Sequence, residues 1–190
     1  MMDPSTSKGV PMIIVEGPDG SGKTTLVGQI EEQWKLTREP RAVSKDAKAL
    51  TPVDRYIERE LEKGFGLRLY DRFAMISSPC YAMLPDRTFS GDMFDPTWLR
   101  LTWAQFYRIN PVVIVCLPSM DTVKGNTRVG KHDGVNLEND IETIYIQYLS
   151  WFAGQVHNTS VMRWDYHNPD PVRLNNLIQW AHARVEKEHG

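Results

Sequence analysis

The sequence predicts an α/β fold, a parallel central sheet of about five strands with helices on both faces. Three observations predict it. Short apolar runs rich in β-branched residues recur along the chain, as in Met12-Ile13-Ile14-Val15 and Val112 to Leu117, which is the pattern of strands buried on both faces. Segments with helical apolar spacing alternate with these runs, beginning with Leu26, Val27, Ile30 and Trp34. Between the first run and the first helix, Gly17-Pro18-Asp19-Gly20-Ser21-Gly22-Lys23-Thr24 fits the pattern G-x-x-x-x-G-K-[ST] at every fixed position.

Taken in order, residues 1–9 read as a disordered tail and 10–190 as one domain. The opening run predicts a strand at 12–16, and the periodic segment after it predicts a helix at 23–35. A short strand is expected near 36–38 and a helix at 53–63. Leu67-Arg68-Leu69-Tyr70-Asp71 predicts a strand at 67–71. Residues 85–96 read as a long loop rich in turn formers, followed by a helix at 95–108. The longest apolar run predicts a strand at 111–117, and the turn chemistry of 125–136 predicts a loop of functional length. Helices are expected at 137–153 and 171–187, on either side of a strand at 160–164. Tyr145, Tyr148, Trp151, Phe152, Trp164 and Trp180 recur at helix or strand spacing and read mainly as core.

Composition bounds the function classes. A chain of 190 residues, 41% hydrophobic and 24% charged, is long enough to build a full core. A net charge of −2 predicts no strong nonspecific attraction to nucleic acid or membrane. The longest apolar run is too short to span a bilayer, and the opening MMDPSTSKG lacks the apolar stretch of a signal peptide. Cys80 and Cys116 lie in apolar surroundings without metal-ligand spacing, which predicts a reducing, cytoplasmic compartment and no membrane partner. The histidines show no ligand spacing, and His132 reads as a solvated loop residue.

The phosphate loop states its chemistry. Gly17, Gly20 and Gly22 free the backbone to curl, so that successive amides point at phosphate oxygens. The helix that follows adds its positive end. Lys23 supplies a charge for the outer phosphates, and the Thr24 hydroxyl is suited to Mg²⁺. The second motif is Asp71-Arg72 at a strand end. Ligands of parallel α/β sheets lie beyond the carboxyl ends of the strands, so both charges face the phosphates. Asp71 is suited to orient Mg²⁺ or its waters, and Arg72 to grip an acceptor phosphate bidentately.

These motifs carry a resemblance. Glu16-Gly17-x-Asp19-Gly20-x-Gly22-Lys23-Thr24-Thr25, then Arg38-Glu39-Pro40, then Val53-Asp54-Arg55-Tyr56, then Leu67 to Phe73, then Ser77-Ser78 and Tyr81 follow one another as in the thymidylate kinases, which the chain resembles from about 12 to 187. The resemblance implies a P-loop kinase fold, with ATP as donor and Mg²⁺ as cofactor. It implies that residues Gly17 to Thr25 (Gly17, Pro18, Asp19, Gly20, Ser21, Gly22, Lys23, Thr24, Thr25) bind ATP and that Thr24 and Asp71 hold the metal. Asp19, Arg38, Arg55, Arg72 and Tyr81 then serve the acceptor, and Lys23, Asp71, Arg72 and the lid residue Arg128 are catalytic. Lys131 falls in the same lid. A homodimer is an open expectation.

The chain departs from the family on the acceptor side. Thr51 stands where a ring that stacks on thymine is usual, Arg41-Ala42-Val43 replaces Gly-Gly-Thr, Ala82 replaces a Gln, Tyr81 lies one residue further along, and the lid carries one Arg, Arg128. A thymidylate-kinase-like group of bacterial viruses phosphorylates the hydroxymethyl group of 5-hydroxymethyluracil in viral DNA, and the chain resembles that group. The expected partner is then a thymine-like deoxynucleotide within DNA, met in the host cytoplasm, with Arg41, Lys45 and Lys48 near its backbone. Thymidylate or another deoxynucleoside monophosphate is the alternative acceptor, and a nucleotide-dependent ATPase or switch is the second alternative. The Asp71-Arg72 pair weighs against a switch, which has no use for an acceptor arginine.

Overall fold

A computed structural model describes residues 12–39, 66–82, 84, 103, 104, 106, 110–129, 137–155 and 157–189. Its centre is a parallel sheet of β1 (Met12–Glu16), β2 (Arg68–Asp71), β3 (Val112–Cys116) and β4 (Val161–Trp164), in the order β2-β1-β3-β4. Met12 pairs with Arg68 and Ile13 with Val112, so β1 occupies the interior, and β3 then pairs with β4. The apolar runs sit here because both faces of the sheet are covered. Ile13, Val15, Leu69, Ile114 and Met162 pack against Leu26, Val27, Ile30 and Ile178, from α1 (Lys23–Trp34) and the C-terminal helix. Ile14, Tyr70, Val113 and Val115 point the other way, into a second core with Ile76, Phe106, Ile144 and Tyr148.

Further helices among the described residues are α2 (Ala74–Ala82), α3 (Met120–Val129), α4 (Leu137–Ala153) and α5 (Pro171–His189). Pro171 takes the first position of α5, and Asp170 caps it by accepting from Arg173 N at 2.9 Å. The α1 helix stops one residue short of its expected end because Lys35 turns into the left-handed region, φ 53°.

Three expectations are corrected. The strand near 36–38 shrinks to a single parallel bridge, Arg38 to Leu69, with Glu39 N donating to Leu69 O at 2.8 Å, so among the described residues the sheet has four strands and a stub. The first part of the expected lid, 125–129, belongs to α3, which Ser119 caps at Thr122 N (3.3 Å). Turn-forming residues are helical there because Asn126 and Thr127 bond to the phosphate loop. The α2 helix was not expected. It forms around Pro79 because Met75, Ile76, Cys80 and Tyr81 are buried by it.

The expected helix 53–63, loop 85–96, tail 1–9 and lid residues 130–136 lie outside the described residues, as do Pro40, Arg41, Lys45, Lys48, Thr51, Arg55, Lys131 and His132. Of the helix expected at 95–108, residues 103, 104 and 106 are described and helical. Trp180 is an exception to the core reading: it is 38% exposed and lies beneath Arg184, 4.9 Å from the ring. No described helix is long and apolar enough to cross a membrane.

Candidate active site

The site grows from the carboxyl ends of β1 and β2. The phosphate loop leaves β1 at Gly17 and enters α1 at Lys23, with Gly22 as the N-cap. Two of its glycines are dictated by their neighbours. At Gly17 (φ 138°) a Cβ would stand 2.4 Å from Cys116 O, so the loop lies flat on the end of β3. At Gly20 (φ 74°) a Cβ would meet Thr127 Oγ1 at 2.8 Å and Val123 O at 2.9 Å. The α3 helix therefore clamps the loop from outside. Asn126 donates to Gly20 O (2.8 Å) and to the Tyr166 hydroxyl (3.0 Å), and Thr127 Oγ1 donates to Val123 O (2.8 Å) and Asp19 O (3.4 Å).

The crowding yields a paired prediction. Gly20→Ala is expected to destabilise the fold by about 1–3 kcal/mol, through a side chain forced into the left-handed region against α3. Gly28→Ala, in α1 with nothing within 4 Å of the new Cβ, is expected to stabilise it by roughly 0.5–1 kcal/mol. Denaturant melts of the two variants check this, and a Gly20→Ala protein as stable as Gly28→Ala overturns the clamp.

Lys23 is 5% exposed and donates from Nζ to Pro18 O at 2.5 Å, folded across the loop it is expected to serve. Burial, reinforced by the Arg72 charge, lowers its pKa to about 8. Thr24 and Thr25 are exposed at the mouth of the loop, while Ser21 and Pro18 are buried. Thr24 and Asp71 offer oxygen donors only, which suits a hard cation that keeps waters and takes its other ligands from phosphates. Consistent with such a sparse donor set, the described residues hold no cluster of three His, Cys, Asp or Glu.

Of the residues expected to serve the acceptor, the structure brings three together. The Asp19 carboxylate accepts a short charge-assisted bond from Arg72 Nη2 and a 2.8 Å bond from the Tyr81 hydroxyl. The Arg72 guanidinium also lies 5.0 Å over the Tyr81 ring. Burial raises the Tyr81 pKa well above the usual phenol range, so the hydroxyl remains a donor. Arg38 bonds Glu31 (2.8 Å) and Asp71 (3.3 Å), which ties α1 to the end of β2. Arg68 pairs with Glu39 at 3.1 Å. Arg128 lies in the last turn of α3.

Some contributors were given no role at the site from the sequence. Glu16 is completely buried at the end of β1, and Tyr148 reaches it from α4 at 2.8 Å. A charged residue closing an apolar strand was a visible signal for Glu16. Tyr148 fits the core pattern and carried no other mark. Asn126, Thr127 and Tyr166 were hidden among turn formers and aromatics.

No protein-family model and no curated protein matches the sequence. Solved structures do match the fold. One is the YorR protein of Bacillus subtilis in complex with phosphorylated GDP, 20% identical, covering 94% of this chain and 97% of that one with a TM-score of 0.63. Deoxyadenosine kinase from M. mycoides matches at 16% identity, over 90% of this chain and 99% of that one, with a TM-score of 0.55 in the form with the products dCMP and dCDP and 0.52 in the form with dATP. The chain shares their architecture, a parallel α/β sheet flanked by helices.

Proposed function

We propose that the chain transfers the γ-phosphoryl group of ATP to a hydroxyl group, and that this hydroxyl is the 5-hydroxymethyl group of 5-hydroxymethyluracil within DNA. The observation that carries the choice of a hydroxyl is the ion pair of Arg72 with Asp19. A monophosphate acceptor brings negative charge to Arg72 and must displace a carboxylate or sit beside it. The neighbouring cations offer little more, because Arg38 faces Glu31 and Asp71 and Arg68 faces Glu39. A neutral hydroxyl needs no such displacement. It donates to Asp19, the carboxylate that Arg72 and Tyr81 hold in place.

In the reaction the hydroxyl oxygen attacks the γ-phosphorus, the bond from that phosphorus to the β–γ bridging oxygen breaks, ADP leaves, and the hydroxyl proton passes to Asp19. The loop amides and the N-terminus of α1 cradle the donor phosphates, and Lys23 balances the charge that develops. Mg²⁺, which Thr24 and Asp71 would hold, would supply further charge compensation. We assign Arg128 to the same task from the lid side, since Asn126 and Thr127 beside it anchor the loop. DNA as the carrier is supported by the departures from the thymidylate-kinase pattern at Thr51, Arg41-Ala42-Val43 and Ala82, and by Arg41, Lys45 and Lys48.

A second reading, transfer to the 5′-hydroxyl of a deoxynucleoside, is favoured by the likeness to deoxyadenosine kinase and uses the same hydroxyl argument. One assay separates the readings. Labelled ATP is offered with 5-hydroxymethyluracil DNA, unmodified DNA, thymidine, deoxyadenosine and thymidine monophosphate. Label in the modified DNA alone is expected. Label in the nucleosides selects the second reading, and label in thymidine monophosphate alone overturns the hydroxyl assignment.

A further inference from the structure

We infer that Glu16 is a positioning residue for the acceptor arginine, an inference that rests on the phosphotransferase reading above. Glu16 closes β1 and is fully buried, and its bonds are internal. One carboxylate oxygen accepts a short bond from Phe73 N. The other accepts from the Tyr148 hydroxyl at 2.8 Å and, more weakly, from Gly17 N at 3.4 Å.

The Phe73 amide is the peptide that the conformation of Arg72 aims. Arg72 N continues the sheet pattern by donating to Val15 O at 3.0 Å. Its φ of 74° then swings the next peptide out of strand geometry. A side chain in that left-handed region is strained by roughly 1–2 kcal/mol, and the charge-assisted bond from Phe73 N to Glu16 is the contact that compensates. Glu16 thereby sets where the Arg72 side chain leaves the backbone, and from there it meets Asp19. The second arm reaches the same place by another route. The Tyr148 ring stands edge-on to Tyr81, 6.3 Å between centroids, and Tyr81 underlies the guanidinium. Glu16 thus supports Arg72 through its backbone and through the ring beneath its charge.

The groups that face Glu16 are Lys23 from the loop, Arg72, Cys80 and Tyr81 from the β2–α2 side, Cys116 from β3 and Tyr148 from α4. Burial raises its pKa to about 6, against the opposing pull of Phe73 N, Arg72, Tyr148 and Lys23. Near neutrality the carboxylate that holds the Phe73 amide is ionised.

The test compares wild type, Glu16→Gln and Tyr148→Phe, each labelled with ¹⁵N. With the acceptor identified by the labelling assay, Glu16→Gln is expected to lower kcat/KM for acceptor by about 10–100-fold, the usual scale for a supporting contact, while ATP affinity stays within about threefold. The acid limb of that parameter, near pH 6 in wild type, should move upward in Tyr148→Phe, which removes a donor to the carboxylate, and vanish in Glu16→Gln. The amide resonance of Phe73 supplies a readout that needs no acceptor. It should titrate near pH 6 in wild type, at higher pH in Tyr148→Phe, and not at all in Glu16→Gln. If no acceptor is labelled, the phosphotransferase reading fails while the amide titration still decides the positioning role. A Glu16→Gln protein that loses ATP affinity and acceptor use in equal measure, or a Phe73 amide that does not titrate in wild type, overturns the inference. Should Glu16→Gln fail to fold, the shifts in Tyr148→Phe decide it.

Discussion

Lys23→Met is expected to abolish phosphoryl transfer and at the same time to raise the melting temperature. Lys23 is buried, and its pKa falls from 10.5 to about 8. A lysine whose pKa is depressed in the folded state is held charged at a disadvantage below pH 8. The shift corresponds to about 3 kcal/mol of folding stability forgone there. That disadvantage fades as pH rises from about 8 toward 10.5, so the stability gain of Lys23→Met should be full at pH 7 and small at pH 10.5. Methionine keeps the unbranched stem and removes the charge. Loss of a single charge stabiliser in a desolvated site lowers the rate by roughly 10²–10³. Thermal melts at pH 7 and pH 10, beside a transfer assay, check both halves. Turnover at the wild-type rate sinks the catalytic role, and a lower melting temperature at pH 7 sinks the burial argument. Phosphates brought to the loop favour the protonated amine, so ATP binding at pH 8 should also take up protons, measurable by calorimetry in buffers of different ionisation enthalpy.

Arg72→Ala is expected to cut kcat/KM for the acceptor by roughly 10³ and to leave ATP affinity within about threefold, because the proposed function sets Arg72, paired with Asp19, toward the acceptor and the loop toward the donor. The backbone supplies an internal control. Arg72 has a φ of 74°, which glycine adopts without strain. Arg72→Gly should therefore be more stable than Arg72→Ala by roughly 1 kcal/mol, with the same loss of acceptor use. Steady-state kinetics in both substrates and denaturant melts measure the two effects. Weakened ATP binding with unchanged acceptor saturation would show that the arginine had been placed on the wrong substrate.

The parts of the structure legible in the sequence are those whose cause is local. β1, β3 and β4 are apolar β-branched runs, and their ends fall within a residue of the expected bounds. The α4 helix lies where the aromatic spacing of Tyr145, Tyr148 and Trp151 places it. The loop pattern and Asp71-Arg72 stood out because phosphate chemistry demands fixed residue types at fixed spacing, and the structure places both at the carboxyl ends of β1 and β2. Other parts depend on partners far away along the chain. Gly125, Asn126 and Thr127 carry turn chemistry, and only their bonds to Gly20 and Asp19 make the helix through them favourable. Pro79 argues against a helix until the burial of Ile76, Cys80 and Tyr81 outweighs it. Glu16 and Tyr148 are 132 residues apart, and no local pattern marks their bond.

The interior position of β1 has a consequence for the order in which the molecule is assembled. The first strand of the chain finds its neighbours in residues 68–71 and 112–116, so it cannot be enclosed until most of the polypeptide has been made. Closing such long segments is entropically slow, and parallel pairing offers no hairpin to nucleate it. The phosphate loop inherits that delay. Its floor is the Cys116 carbonyl and its outer wall is α3, both late in sequence. A nascent chain that carries the whole loop motif therefore lacks the floor and wall around it, and the proposed nucleotide cradle is completed only once β3 and α3 have joined the loop.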